Sequence, residues 1–175
     1  EAVRVPFIVR FPGASHTGTV DDSHLVSSGL DFYATVCDCA GITPPQGIEG
    51  RSLLPLLEAS TERQDWRDHL CIETDFTEKP VCRGRMVVTN RFSYGVYDWG
   101  AYREQLFERR SDPGEMVNLA LRGSYESTLQ EHRDLLRSWC ERTNDAMSGH
   151  HYSHPSVSFL VPGDEYPKTP IDDEI

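Results

Sequence analysis

The sequence predicts an α/β protein built in two parts, and three observations carry that prediction. The run Arg4 to Phe11 holds Val5, Phe7, Ile8 and Val9, the composition of a strand buried on both faces in a mostly parallel sheet. From Leu70 onward the apolar period changes to two, which marks antiparallel strands. Between Tyr125 and Thr143 the spacing becomes helical. A strand and helix of a large sheet are therefore expected first. A small antiparallel sheet packed by one long C-terminal helix follows.

Each element has a local reason. Pro12-Gly13 ends the first strand, and residues 14–23 read as a polar loop. Ser27 and Ser28 are N-cap candidates for the helix that follows, with Asp31 in its first turn. Leu30, Tyr33, Ala34, Cys37 and Ala40 mark one face of it. Gly41 suits the position after the C-cap, and Pro44-Pro45 bars continuation. Leu53 to Leu57 is a short apolar turn interrupted by Pro55, and residues 61–68 are a polar passage.

Leu70 to Phe76 reads as a strand. Met86, Val88, Phe92, Tyr94 and Val96 read as a hairpin bent at Asn90-Arg91, because Asn tolerates the left-handed region. Arg103 to Phe107 supplies a further strand. It runs into Ser111-Asp112-Pro113-Gly114, where Pro fixes φ, Gly offers positive φ and Asp bonds nearby backbone. Tyr125, Leu129, His132, Leu136, Trp139, Cys140 and Thr143 then form the stripe of a helix lying across the hairpin sheet. From Ser148 the chain has no period, and Pro155, Pro162, Pro167, Pro170 and an acidic end give an irregular tail. The expected organisation is residues 1–58 as edge strand and helix of a larger α/β domain, 65–147 as an α+β subdomain, and 148–175 as tail.

Charge and length narrow the function. The 175 residues suit one domain or a little more. A formal net charge of −11 excludes non-specific nucleic-acid binding, which needs clustered Lys and Arg. No apolar run approaches the length of a membrane span. The chain has no Met start, and Glu1 opens almost directly on a strand-like run, so a piece of a longer protein is expected. Five cysteines leave at least one thiol unpaired. Cys37 and Cys39 point to different helix faces, so neither a shared metal nor a mutual disulfide is expected.

The wording of several segments is more specific than their chemistry. Residues 102–120, YREQLFERRSDPGEMVNLA, resemble the LYDLENDPGE-x-NNLA tail shared by many sulfatases. EAVRVPFIVRFPG (Glu1–Gly13) is similar to that family's EGG-x-RVPLIVRWPG segment. LVSSGLDFYATVCDCAGI (Leu25–Ile42) resembles its VSS-x-DLLPTLLDLAGI helix. GIEGRSLLPLLE (Gly47–Glu58) looks like its LDGRSLLPLL turn, and GRMVVTNRFSYGVYD (Gly84–Asp98) like its R-x-VRTGRYKYI hairpin. The blocks stand in the family's order over about residues 1–140. The resemblance implies the C-terminal part of an alkaline-phosphatase-like sulfatase fold.

By that resemblance the parent protein is a sulfuric ester hydrolase. This part would support the catalytic sheet and form one wall of the substrate cleft. A sulfatase uses a formylglycine, made from Cys or Ser in Cys/Ser-x-Pro-x-Arg, and a calcium ion held by carboxylates and an amide. The hydrated aldehyde is an activated nucleophile, and the cation stabilises charge on sulfate oxygens. None of the five cysteines has Pro two residues on, and Ser153-His154-Pro155-Ser156-Val157 has Val where the Arg must be. Nucleophile, metal ligands and catalytic His and Lys are therefore expected in a missing N-terminal part, and this fragment alone is expected to be inactive, with no catalytic residue and no metal. Asp21-Asp22 is read as solvated loop carboxylates, and His150, His151 and His154 as tail residues. The aromatic stripe Phe92, Tyr94, Tyr97 and Trp99 is read as hairpin core.

Arg85, with Arg83 beside it, is the expected substrate-binding pair, because Arg forks match sulfate and carboxylate oxygens. Arg91 completes the basic cluster, and Val88 stands where the family often has a second Arg. The expected partners are the N-terminal catalytic part and a sulfated small molecule or glycan, with no nucleic acid and no membrane. The strand Arg4 to Phe11, lacking a neighbour, is expected to drive self-association. The resemblance leans toward a periplasmic or secreted setting. Two other classes stay open: the C-terminal region of a related phosphonate or phosphodiester hydrolase, and a non-catalytic interaction module.

Overall fold

The computed structural model describes residues 3–12, 18–57, 65–76, 82–97 and 103–145. The expected tail, its three histidines, and Trp99 lie outside the described residues. The chain divides into two compact units, Glu1–Asp68 and His69–Ile175.

The first unit is held together by loops around two short helices. Helix α1 spans Asp31–Cys39 and α2 spans Leu54–Leu57. The end of α1 follows the predicted chemistry. Gly41 adopts φ +66°, its N–H donates to the Asp38 carbonyl at 3.0 Å, and the Ile42 N–H donates to Cys37 at 2.9 Å. These are the two bonds of a Schellman ending. The start differs from expectation. Ser27 and Ser28 do not cap the helix through the N-cap position, which Leu30 fills without a side-chain bond. Instead the Asp31 carboxylate accepts the Ser27 N–H at 2.7 Å, while the Ser27 carbonyl accepts the Asp31 N–H at 2.8 Å. Pro55 is tolerated because it lies in the first turn of α2, where its missing N–H has no helical partner anyway.

The run Arg4 to Phe11 forms no strand in this chain. Val5, Ile8 and Val9 are exposed. A strand exists only with a neighbour to share its N–H and C=O groups, and among the described residues no strand pairs with this run.

The second unit is a four-stranded antiparallel sheet in the order β1-β2-β3-β4, with β1 His69–Phe76, β2 Cys82–Thr89, β3 Phe92–Tyr97 and β4 Glu104–Glu108. Helix α3, Glu126–Thr143, packs on one face. Register fixes that face. Cys71, Val87, Tyr94 and Leu106 form one cross-strand row, and Val87, Tyr94 and Leu106 are fully buried with Leu129, Leu136 and Cys140 of the helix. Met86 and Val88 of the predicted hairpin fall on the opposite face, paired with Gly95 and Ser93.

The β2–β3 bend comes at Asn90-Arg91 as expected, but not by left-handed Asn. The residues other than glycine at positive φ are Glu115 and Asn144 among those described. The Thr89 hydroxyl closes the bend, accepting the Phe92 N–H at 3.0 Å and donating to the Phe92 carbonyl at 3.1 Å.

After β4 the chain turns at Asp112-Pro113-Gly114. The Glu115 N–H donates to the Asp112 carbonyl at 3.0 Å. Gly114 does not take positive φ; Glu115 does, at 53°, and its carboxylate accepts the Ser93 hydroxyl at 2.6 Å. The Asp112 carboxylate accepts the Val117 N–H at 2.8 Å. The turn delivers Asn118 to the outer edge of β4. There the Asn118 side chain accepts the Leu106 N–H at 3.0 Å and donates to the Glu104 carbonyl at 3.0 Å. Because Gln105 and Phe107 direct their backbone groups to β3, these are the outward-facing groups of the strand. A side-chain amide takes the place of a neighbouring strand.

Candidate functional site

Three ionic clusters stand out from the surface charges, because in each a charged side chain is buried and paired. In the first unit Asp31 is fully buried. Arg67 grips it through both terminal nitrogens, at 2.5 and 2.6 Å, and the Arg51 N–H adds a bond at 2.8 Å. Burial alone would push the Asp31 carboxyl up. The Arg67 fork and the Arg51 and Ser27 amides outweigh it and hold the carboxyl below its ordinary value. The Arg67 guanidinium also lies 5.2 Å from the Trp66 ring centre, a cation–π distance. Trp66 in turn donates to the Leu25 carbonyl at 2.9 Å. Asp31, Arg67 and Trp66 thus tie α1 to the residues that end the unit.

Nearby, Asp21 is an exposed loop carboxylate, as read from the sequence, and it is held by local bonds. One oxygen accepts the Ser23 N–H at 2.9 Å and the Ser23 hydroxyl at 2.8 Å, and the other meets His24 Nδ1 at 2.6 Å. Burial raises its pKa in part, but these Ser23 and His24 bonds prevail and lower it to about 2.

In the second unit Glu104 and Arg133 form a buried two-pronged pair, with Nε to Oε1 at 2.6 Å and a terminal nitrogen to Oε2 at 2.7 Å. The Tyr94 hydroxyl donates to Glu104 Oε1 at 2.8 Å, and Glu126 meets Arg133 at 3.0 Å. Hydrogen bonding to Glu104 raises the Arg133 pKa against the opposing effect of burial. Sequence reading missed this pair. The only signal was a charged residue, Arg133, next to the buried stripe of α3.

The third cluster surrounds Arg85, the expected substrate residue. Its side chain is 4% exposed. Nε donates to Asp145 at 3.0 Å, and one terminal nitrogen donates to Asp75 at 3.0 Å, to the Gly84 carbonyl at 2.8 Å and to the Thr74 carbonyl at 3.3 Å. This geometry places Arg85 inside the unit as a clamp joining β1, β2 and the end of α3, and departs from the expected open rim. The physical reason is register: Arg85 lies on the helix-facing side, in the row of Glu73 and Val96. Arg83 is half-buried on the same side, across from Asp75. Arg91 is exposed, pairs with Glu108 at 3.2 Å and lies over Phe92 at 5.0 Å. The structure does not bring the three arginines to one point.

The described residues do not make a formylglycine–calcium centre. Among the described residues no three His, Cys, Asp or Glu side chains gather as a metal site. Ser111-Asp112-Pro113 shares the Ser-x-Pro spacing, but Glu115 fills the Arg position, and the Ser111 hydroxyl is bonded to Glu108.

The fold is that of alkaline-phosphatase-like sulfatases. A sequence model of the N-sulphoglucosamine sulphohydrolase C-terminal family matches residues 1–142, and the chain belongs to that family. It is 34% identical over 152 residues to a Δ4,5-hexuronate-2-O-sulfatase of Bacteroides thetaiotaomicron, a match covering 83% of this chain and 30% of that protein. It is 26% identical over 169 residues to PehA, a multifunctional alkaline phosphatase superfamily protein of Trinickia caryophylli, covering 89% of this chain and 32% of that one. Among solved structures, a 2-O GAG sulfatase superposes with a TM-score of 0.71 at 28% identity, over 86% of this chain and 36% of that one. The chain spans about a third of the length of the relatives it matches.

Proposed function

We propose that this chain is the C-terminal region of a sulfuric ester hydrolase acting on a sulfated small molecule or glycan. The observation that carries the reading is the family match over residues 1–142, joined to a 34% identical sulfatase relative. In this reading the chain supplies no nucleophile. Its two units support a catalytic sheet and one wall of the cleft, and the formylglycine and calcium belong to the N-terminal region.

Arg83 and Arg85 enter the proposal in the form their burial allows. Arg85 holds the β1–β2 end in place, and with it Arg83 and whatever that end presents to a ligand. Arg85→Ala should then lower kcat/KM on large and small sulfate esters alike, with a loss of stability. A direct contact at the rim would penalise the larger ester alone.

The likeness to a multifunctional alkaline phosphatase superfamily protein favours one rival, a phosphonate or phosphodiester hydrolase. The test compares the longer polypeptide that carries this segment on an aryl sulfate and on an aryl phosphonate monoester. Faster turnover of the sulfate is expected, and preference for the phosphonate would overturn the reading. The 175-residue chain alone should turn over neither above a heat-killed control.

A further inference from the structure

Two cysteines that share no sequence motif meet inside the second unit. Cys71 stands in β1, in the helix-facing row with Val87, Tyr94 and Leu106. Cys140 stands in the last turn of α3 and is fully buried in the apolar cluster against which Cys71 packs. A run of polar contacts leads to the same corner. The Cys140 thiol donates to one Asp145 oxygen at 3.9 Å, and the other Asp145 oxygen accepts from Arg85 at 3.0 Å. Arg85 faces Glu73 across the β1–β2 ladder, and Glu73 lies two residues beyond Cys71 on the same side of the strand. The two sulfurs also sense each other: burial pushes the Cys71 thiol up to about 12, and charge on Cys140 adds to the rise. The remaining cysteines lie elsewhere. Cys82 alternates to the opposite face of the sheet with Gly84 and Met86, and Cys37 and Cys39 belong to the first unit.

We propose that Cys71 and Cys140 are a disulfide-forming pair which, oxidised by a small-molecule disulfide, staples the edge strand β1 to the end of α3. The chemistry is thiol–disulfide exchange. One thiolate of the pair attacks a sulfur of the small disulfide, breaks its S–S bond and expels one thiol. The other thiolate then attacks the sulfur now bound in the mixed disulfide, closes the Cys71–Cys140 bond and expels the second thiol. The two protons lost by the cysteines end on the two expelled thiols, so the protein is oxidised and the small disulfide is reduced. Exchange runs through the thiolate, and burial keeps Cys71 protonated in the folded unit. The bond therefore closes while the chain folds, or when β1 opens from the edge of the sheet. Once closed, it removes from the core a thiol that burial already forbids to ionise. It also fixes β1 and α3 beside the Arg85–Asp145 contact that joins the same elements. The inference is independent of the sulfatase reading.

The test refolds the 175-residue chain from urea in a mixture of glutathione and glutathione disulfide. Acid then stops exchange, and the thiols that remain are alkylated with a small maleimide. Peptide mass spectrometry should find Cys71 joined to Cys140, and dithiothreitol should release the two peptides. By circular dichroism the cross-linked chain should melt about 10 °C or more above the reduced one, because the bond closes a loop of roughly 70 residues. Cys82→Ala should leave the cross-link intact, and Cys71→Ala should leave Cys140 to be recovered with maleimide attached. Recovery of both Cys71 and Cys140 alkylated from the unsubstituted chain would overturn the inference. So would Cys140 joined to another cysteine or to glutathione. A cross-linked chain that melts no higher than the reduced one would also overturn it, since the bond would then distort the unit instead of stapling it.

Discussion

Removing Glu104 should be among the most damaging single changes in the second unit. The carboxylate sits in a dry position with three donors aimed at it: two nitrogens of Arg133 and the Tyr94 hydroxyl. Its side chain is 6% exposed and that of Arg133 is 5% exposed. Truncation to Ala leaves the guanidinium buried with Glu126, which is itself 58% exposed, and a long 3.5 Å bond to the Gln130 side-chain carbonyl. Breaking a buried pair from one side costs roughly 3–5 kcal/mol. Glu126 keeps part of the charge compensated, which favours the low end, about 3 kcal/mol. The orphaned Tyr94 hydroxyl adds about 1 kcal/mol. A loss of about 4 kcal/mol is a large share of the roughly 5–15 kcal/mol that holds a domain folded. The double variant Glu104→Leu with Arg133→Met removes both charges and should recover most of the loss. Urea denaturation followed by far-ultraviolet circular dichroism gives both numbers from the midpoint, provided the slope stays constant. A loss under 1 kcal/mol for Glu104→Ala, or a double variant as unstable as the single one, would refute the account.

Three further outcomes are expected. Leu136→Ala, fully buried between α3 and the sheet, should cost about 2–5 kcal/mol by denaturation, and a loss well under 1 kcal/mol would contradict the packing. Gly50→Ala should unfold or distort the first unit, because the added methyl would lie 2.1 Å from the Leu30 carbonyl oxygen; an unchanged melting temperature would count against this approach of backbones. Asp31 has a depressed pKa in the folded chain, against 3.8 when unperturbed, so its contribution is present above that value and is lost as the pH falls below about 4. Asp31→Asn should flatten the acid limb of the stability profile, and an unaltered limb would place the acid sensitivity elsewhere.

The parts of this fold that were legible in the sequence are those set by neighbours along the chain. The stripe Leu129, Leu136, Cys140 is read from helical spacing alone, and Gly41 announces the end of α1 because only local backbone geometry is at stake. What escaped reading depends on partners far away in sequence. Glu104 and Arg133 are 29 residues apart, and Asp31 and Arg67 are 36 apart. Charged residues in an amphipathic pattern give no hint that they will be buried together. Arg85 shows the converse. Its position in a hairpin strand was visible, but which side of the sheet it faces depends on a register set by the β2–β3 bend, and the Thr89 hydroxyl that closes the bend has no sequence signature. Arg4–Phe11 has a strand's composition without a strand's neighbours, and composition cannot supply those.

The Asn118 amide has a consequence for assembly. A sheet edge is where one molecule recruits another, and the outward backbone groups of β4 would otherwise form a docking rail for any extended chain. Asn118 occupies two of them, and the Asp112 N–H takes the Glu108 carbonyl at 2.9 Å. The turn and its asparagine thus act as a stopper: β-stacking between molecules cannot start from this side without first dislodging them. The most distinctive stretch of the sequence thus closes one edge of the sheet.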